Sequence, residues 1–175
     1  MPDAHKILLE VLEKYEDADK WKGSPFEHIK RLSNTKVGDI GQDFVERLCE
    51  SLNIDIAFPE KVEGGRKRQS PWDIKIGELT FELKTATEDV SGSFQFNHIR
   101  YHREYDALLC VGISPSDIKF NVWTKGDVVT GKAGNLVTME KGANASYKLT
   151  KKPSGLLVID EFENRILELA TDPLA

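Results

Sequence analysis

Asp73, Glu82 and Lys84 have the residue types and the spacing that metal-assisted phosphodiester hydrolysis requires. One or two carboxylates can hold Mg²⁺ together with water and a substrate phosphate. The metal acidifies a water molecule and neutralises the charge that grows on phosphorus. A lysine ammonium beside the metal can position or deprotonate that water and stabilise the transition state. The three side chains therefore form a minimal hydrolytic site if the fold brings them together.

A predicted β-hairpin brings these three residues together. Polar and apolar residues alternate on both sides of Gly77-Glu78, which is the period of a half-buried strand. A two-residue loop that begins with glycine favours a type II′ turn. In the resulting register Asp73 lies directly across from Glu82, with their Cβ atoms roughly 4.5–5.5 Å apart. The apolar face of the hairpin then pairs Ile76 with Leu79, Ile74 with Phe81, and Trp72 with Leu83.

The opposed carboxylates distinguish this lysine triplet from chance matches. Acidic-x-lysine triplets also begin at Asp73 and at Asp117, so the pattern by itself is common. The triplet at Asp117 follows a Ser-Pro-Ser turn, and no acid lies on a predicted partner strand. An ordinary solvated hairpin pairs lysine with glutamate, because like charges directly across from each other are destabilising. Two opposed acids therefore favour a cation site over a solvated face.

Asp73, followed by Glu82-x-Lys84 on the next strand, resembles the motif of the PD-(D/E)XK nuclease superfamily, which includes most Type II restriction endonucleases. The resemblance covers about residues 35–123 and implies an α/β fold with a restriction-endonuclease-like mixed central β-sheet flanked by α-helices. It implies that Asp73, Glu82 and the backbone carbonyl of Leu83 bind Mg²⁺, with Mn²⁺ as a substitute, while Lys84 acts on the attacking water. Double-stranded DNA is the implied partner. A C2 homodimer is expected, because these restriction enzymes pair two sites to cut two strands.

The resemblance also implies an acid from a preceding helix, commonly in a Gly-Glu pair near the helix start. Apolar spacing predicts that helix over about residues 35–52. Gln42 stands where the glutamate is expected. The helix ligand is therefore open between Gln42 acting through a water, Asp43 and Glu46. The acidic stripe of this helix also fits an ordinary solvated face.

Two further segments offer side chains to DNA. Gly64-Gly65 begins a loop that carries Arg66, Lys67 and Arg68 shortly before Asp73, and such cations bind phosphates or guanine edges. A solubilising surface loop is the alternative interpretation. A helix is predicted from Phe94 to about Glu104. Its side chains suited to base or phosphate contacts are Gln95, Asn97, His98 and Arg100, together with Tyr101, His102 and Arg103.

His98 and His102 also permit a metal interpretation, because residues four apart on a helix can be paired ligands. No glutamate follows His98 as in an HExxH pattern, and no third ligand is evident. Zinc is therefore the minor interpretation of this segment.

Composition and charge exclude several classes of function. The 175 residues include 39% hydrophobic and 30% charged side chains, which fits one globular domain with a substantial core. No stretch is apolar enough to span a membrane and the first residues lack a signal peptide, so we expect a cytoplasmic, prokaryotic-type protein that is not secreted. Cys49 and Cys110 lack metal-binding spacing and are expected to be reduced core residues. The net charge of −5 argues against a general DNA coat but allows a nuclease whose cations lie in one cleft.

The chain is predicted to form a single nuclease domain over residues 1–175, with N-terminal helices (1–34), a catalytic core (35–123) and a C-terminal extension (124–175). The helices of the first part are expected over about 2–19 and from Ser24. The apolar run 107–113 is typical of a strand buried on both faces, and residues 119–123 alternate as another strand. Residues 131–145 predict a long loop. Residues 155–169 fit either a helix or a pair of strands.

These observations predict a Mg²⁺-dependent endonuclease that hydrolyses DNA, as a sequence-specific Type II restriction enzyme. A repair or recombination nuclease of the same superfamily would share the site but recognise DNA structure. A non-catalytic DNA-binding subunit of the same fold is favoured by Gln42 and disfavoured by the intact triplet. An α/β interaction domain without DNA is the last alternative, and salt-sensitive DNA binding would separate it from the others.

Overall fold

A six-stranded mixed β-sheet forms the centre of the computed structural model, which describes residues 3–16, 19–60 and 70–171. Its strand order is β1-β2-β3-β5-β6-β9, and a second sheet has the order β4-β8-β7. The helices are α1 (Ala4–Glu16), α2 (Asn34–Ser51), α3 (Lys125–Val129) and α4 (Phe162–Thr171). The strands are β1 (Ile56–Ala57), β2 (Ile74–Ile76), β3 (Leu79–Thr87), β4 (Phe94–Ile99), β5 (Ala107–Ile113), β6 (Ile118–Thr124), β7 (Leu136–Glu140), β8 (Ser146–Lys151) and β9 (Leu157–Val158).

The predicted α/β architecture is confirmed at the level of a mixed sheet flanked by helices. β3 and β5 pair in parallel, and the other neighbours in the large sheet pair antiparallel. Every residue of β5 is buried, as its continuous apolar sequence predicts for a central strand. The strand predicted over residues 119–123 is also confirmed, as β6.

Each face of the large sheet has its own core. Odd-numbered residues of β5 such as Leu109 and Val111 pack with apolar side chains of α2 and α4. Even-numbered residues such as Leu108 and Cys110 pack with the second sheet. The alternation follows from the two-residue period of a strand. A second sheet, which the sequence did not predict, therefore covers one of the two faces.

The β2–β3 hairpin has the predicted register up to Ile74. Ile76 pairs with Leu79 and Ile74 with Phe81. Gly77 has a φ of 58°, as the first loop position of a type II′ turn requires, and this conformation is open to glycine at no steric cost. The ladder ends there, because β2 begins only at Ile74. Trp72 consequently does not continue the apolar face with Leu83 and packs instead in the core between the two sheets.

Two predictions of secondary structure are wrong. Residues 94–99 form the strand β4, not a helix, because Phe94, Phe96 and Ile99 must all face the second core. The segment predicted as a loop over residues 131–145 contains β7, which pairs with β8. β4 is stabilised by β8, a partner distant in the sequence, whereas β7 pairs with β8 across only residues 141–145, in a segment whose turn residues hid the strand.

The remaining elements agree with the sequence in part. The helix predicted over residues 35–52 is α2, and its N-cap Ser33 accepts a hydrogen bond from the Lys36 N–H. The helix predicted from Ser24 is a short 3₁₀ helix, Glu27–Arg31, and the C-terminal segment forms both β9 and α4. Cys49 and Cys110 are buried free thiols as predicted, and burial raises the pKa of Cys49 to about 11. In the described part of the chain, no helix has the length and apolarity to cross a membrane.

Gly41 and Gly38 of α2 provide a matched pair for testing how the helix packs on β3. A Cβ added at Gly41 would lie 1.7 Å from Thr85 Oγ1, whereas one at Gly38 would meet nothing within 4 Å. We expect Gly41→Ala to lower the free energy of unfolding by about 1–3 kcal/mol through overpacking. We expect Gly38→Ala to raise it by about 1 kcal/mol, because alanine favours the helix. Urea unfolding followed by circular dichroism measures both, and equal effects would contradict the close α2–β3 contact.

Candidate active site

Glu82 lies at the centre of the candidate site and is completely buried. Strand β3 directs it, with Lys84, to the face covered by the second sheet. Lys84 Nζ lies 3.1 Å from Glu82 Oε1. The backbone N–H of Arg100 donates to Glu82 Oε2 at 3.1 Å. These partners are needed, because a buried carboxylate without a counter-charge or hydrogen bonds is strongly destabilising.

Asp73 reaches the site from the residue directly before β2. Its backbone N–H donates to the Phe81 carbonyl at 2.9 Å, and its Oδ2 accepts from the Leu83 N–H at 2.9 Å. Within a strand, the N–H and C=O of one residue point to the same side. The Leu83 carbonyl therefore faces the side on which Asp73 lies, where the β2 ladder has ended. This places three oxygen-bearing groups, Asp73, Glu82 and Leu83, around one edge of β3.

Arg103 joins the two carboxylates. Its Nη1 lies 3.0 Å from Asp73 Oδ1 and 3.4 Å from Glu82 Oε1. Its Nε and Nη2 both donate to the Ser70 carbonyl, at 2.9 and 2.8 Å. Only 10% of the side chain is exposed. The expected cation between the opposed acids is therefore supplied by the protein itself, in a fixed orientation.

The charges of this cluster balance. Two carboxylates, Asp73 and Glu82, face two cations, Lys84 and Arg103. Tyr105 lies beside them and is nearly fully buried. Burial, and next the negative charge of Glu82, raise the pKa of Tyr105 well above its ordinary value, so the phenol stays neutral. Lys84 is 17% exposed and Asp73 28%, so solvent reaches the site from the Asp73 side.

The helix candidates lie away from this cluster. Helix α2 packs through Gly41 onto Thr85, an odd-numbered residue of β3, whereas Glu82 points to the opposite face. Gln42 and Asp43 are exposed, and Glu46 is half-buried. Among the described residues, no hydrogen bond or ion pair joins these three side chains to Asp73 or Glu82.

The side chains predicted for DNA contact are arranged by β4 and the turn after it. Gln95 and His98 are exposed, and Asn97 is half-buried. Gln95 donates to Asp89 Oδ2 at 3.0 Å. His98 Nδ1 and Arg100 Nη2 lie 3.7 and 3.8 Å from Glu140 Oε2. A hydrogen bond from Ser146, and then these two neighbours, lower the pKa of Glu140.

Two other predictions concern cations and metals. Arg66, Lys67 and Arg68 lie outside the described residues, so their role in DNA binding stays a prediction. The zinc interpretation of His98 and His102 is wrong in its premise, because no helix spaces them one turn apart. In residues 3–16, 19–60 and 70–171, no group of three or more His, Cys, Asp or Glu side chains is arranged to hold a metal ion.

The roles of Arg103 and Tyr105 do not follow from the sequence. The sequence predicts that Arg103 contacts DNA from a helix, but its side chain turns inward to Asp73 and Glu82. The sequence does predict a positively charged partner for Asp73 and Glu82, because carboxylates directly across from each other repel unless a cation lies between them. The sequence around residue 103 contains several cations, and nothing local selects this one.

The donor set fits magnesium better than zinc. Two carboxylates and a backbone carbonyl are hard oxygen ligands, and Mg²⁺ commonly uses one or two carboxylates while water and substrate phosphate complete its octahedron. A cation can lie between Asp73 Oδ1 and Glu82 Oε1, because one nitrogen of Arg103 already contacts both. A metal bound there needs that nitrogen to move, since Mg²⁺–oxygen distances are only about 2.0–2.1 Å.

Comparison with known proteins leaves the family open. No protein-family model matches the chain, and no curated protein matches it. Among solved structures, the chain is similar to a bacterial homing endonuclease, with 13% sequence identity and a TM-score of 0.45. The similarity covers 80% of this chain and 99% of that one. A likeness of this size carries no argument about function, which must come from the site itself.

Proposed function

We propose that the protein is a Mg²⁺-dependent endonuclease of the PD-(D/E)XK type that hydrolyses DNA, as a sequence-specific Type II restriction enzyme. The observation that carries the proposal is the convergence of Asp73, Glu82 and Lys84 at one edge of β3. The Leu83 carbonyl faces the same edge. A chance acidic-x-lysine triplet has no reason to gather a second carboxylate and to bury its glutamate completely.

Each residue of the candidate site has its own role in the proposed hydrolysis. Asp73, Glu82 and the Leu83 carbonyl are the groups that would hold Mg²⁺. When bound, the metal acidifies water and neutralises charge on the scissile phosphate. Lys84 positions or deprotonates the attacking water and stabilises the negative charge of the transition state. Its Nζ is oriented for this by Glu82 Oε1 at 3.1 Å. No covalent enzyme intermediate is needed.

Burial of the site supports its use in electrostatic catalysis. Interactions between charges are stronger where water is excluded, and preorganised groups need little rearrangement during the reaction. Glu82 is fixed by Lys84 and by the Arg100 N–H, and Asp73 by the Leu83 N–H. Asp73, at 28% the more exposed of the two carboxylates, marks the side from which a phosphodiester would approach.

The proposal is tested by incubating the purified protein with phage and plasmid DNA, in Mg²⁺ or in EDTA. Discrete, metal-dependent fragments would support a sequence-specific enzyme. A metal-dependent smear, or cutting only of branched or nicked DNA, would favour the repair or recombination class. If none of these DNAs is cut, the proposal that the protein is an endonuclease is contradicted. Glu82→Gln provides the matched control, because glutamine keeps the volume of the buried side chain but loses its charge.

A non-catalytic DNA-binding subunit is the second candidate. It is favoured by Arg103, which already neutralises both carboxylates so that the cluster is balanced without a metal. Such a subunit would bind DNA with salt dependence but would cut none.

A homodimer is part of the main proposal, because one chain offers one site and duplex cleavage uses two. Light scattering of the protein with and without duplex DNA tests the dimer.

A further inference from the structure

Arg103 occupies the space between Asp73 and Glu82 that a metal ion would use. Its Nη1 contacts Asp73 Oδ1 at 3.0 Å and Glu82 Oε1 at 3.4 Å. Mg²⁺ held by these carboxylates would lie closer to their oxygens than the guanidinium does, since Mg²⁺–oxygen distances are about 2.0–2.1 Å. The guanidinium nitrogen and the ion cannot occupy this space at once, and their positive charges also repel.

The position of Arg103 is fixed by the backbone on both sides. Nε and Nη2 both donate to the Ser70 carbonyl, at 2.9 and 2.8 Å. The Arg103 carbonyl in turn accepts a hydrogen bond from Lys125 Nζ. A planar guanidinium held by two hydrogen bonds to one carbonyl oxygen loses little further freedom when it also contacts the acids. The fold itself therefore holds Arg103 against the two carboxylates.

Charge counting gives the direction of the effect. With Arg103 in place, Asp73 and Glu82 are balanced by Arg103 and Lys84. Without the guanidinium, Lys84 is the one cation left to balance Asp73 and Glu82, and Glu82 is fully buried. Such a cluster is destabilising in the absence of a metal and attracts a divalent ion more strongly.

We propose that Arg103 is a built-in counter-cation that competes with the metal ion for Asp73 and Glu82, and so holds the metal affinity of the free protein low. The inference rests on the proposed function, because it assigns a metal to these carboxylates. Arg103 acts through Asp73 and Glu82 and is a positioning residue. It also keeps the acids together when no metal is bound.

The test measures Mn²⁺ binding to the full chain without DNA, from the loss of the free Mn²⁺ signal in electron paramagnetic resonance. We expect Arg103→Gln to bind Mn²⁺ about 5- to 150-fold more tightly than the natural protein, the usual size of coupling between two ligands. Arg165→Gln is the matched control, because the Arg165 guanidinium pairs with Glu168 on α4, which packs against the opposite face of the large sheet. It should leave the Mn²⁺ affinity unchanged.

Thermal unfolding gives a second readout that needs no activity. Arg103→Gln should melt at a lower temperature than the natural protein without metal, and Mn²⁺ should raise its Tm more, because tighter binding to the folded state stabilises it more. If this variant does not fold, Arg103→Lys retains a cation but loses the forked pair of hydrogen bonds to the Ser70 carbonyl. It should bind Mn²⁺ more tightly than the natural protein.

The outcomes separate this inference from the proposed function. Unchanged or weaker Mn²⁺ binding in both Arg103 variants, with binding abolished by Glu82→Gln, would overturn the role of Arg103 and leave the metal site standing. Equal tightening by Arg165→Gln would also overturn it, because any lost positive charge would then have the same effect. If neither the natural protein nor the Arg103 variants bind Mn²⁺, the metal site and the inference both fail.

Discussion

Lys84→Ala is expected to lower the rate of metal-dependent DNA cleavage by about 10²–10⁴-fold, the usual contribution of a group that transfers or positions a proton. Of the two cations in the cluster, Lys84 is the more exposed, at 17% against 10% for Arg103, and its Nζ lies 3.1 Å from Glu82 Oε1. The fold should persist with a lower free energy of unfolding, because Arg103 still contacts both carboxylates although one of the two positive charges is lost. Cleavage rates under single-turnover conditions, with circular dichroism spectra beside them, measure both effects.

Lys119→Ala is the matched control for this substitution. Lys119 ends the triplet Asp117-Ile118-Lys119, and its Nζ lies 3.2 Å from Asp117 Oδ2. The same three-residue pattern therefore exists there without a second carboxylate. Cleavage should be unaffected in this variant. Equal losses in the two variants, or full activity of Lys84→Ala, would show that Lys84 has no special role in hydrolysis.

Replacing Arg66, Lys67 and Arg68 together by alanine is expected to weaken DNA binding and to flatten its salt dependence. Removal of each cation that binds a phosphate should reduce the slope of log K against log salt by roughly 0.9, and thus by roughly 2.7 if all three residues bind phosphates. Secondary structure and thermal stability should stay unchanged. Fluorescence anisotropy with a labelled duplex, repeated over a series of salt concentrations, gives the slope directly.

The control for that variant removes the same charge elsewhere. Lys22, Lys132 and Lys141 are exposed and lie on three separate segments. Their joint replacement by alanine changes the net charge equally but should alter the slope far less. If the two triple variants weaken binding alike, DNA binding reflects net charge alone, and Arg66, Lys67 and Arg68 have no specific role in the interface.

Local sequence was sufficient for the parts of the fold whose contacts are close in the chain. The Gly77-Glu78 loop fixed the register of the β2–β3 hairpin, because a two-residue turn leaves only one pairing of its flanking strands. The unbroken apolar run of β5 predicted a strand buried on both faces. The apolar spacing of α2 predicted its length, and Ser33 marks its beginning.

Distant contacts decided the elements that the sequence did not predict. Phe94 and Phe96 form a strand because β8, far along the chain, supplies their hydrogen-bonding partners. β7 is an exception, because it pairs with the same strand across only residues 141–145, and the turn residues of that segment hid the strand. Trp72 does not lie on the predicted apolar face, because the ladder ends at Ile74 and the side chain packs in the second core instead. In each case packing outweighed a weak local preference.

The sequence by itself determined which side chains could do chemistry, since the types and the alternation of Asp73, Glu82 and Lys84 follow from the chain alone. Only the tertiary structure decided their surroundings. It placed α2, with Gln42, Asp43 and Glu46, on the opposite face of β3, and it brought Arg103 to both carboxylates. The physical reason is range: hairpin register depends on neighbours along the chain, whereas the cation that balances a buried acid is selected by how distant segments pack.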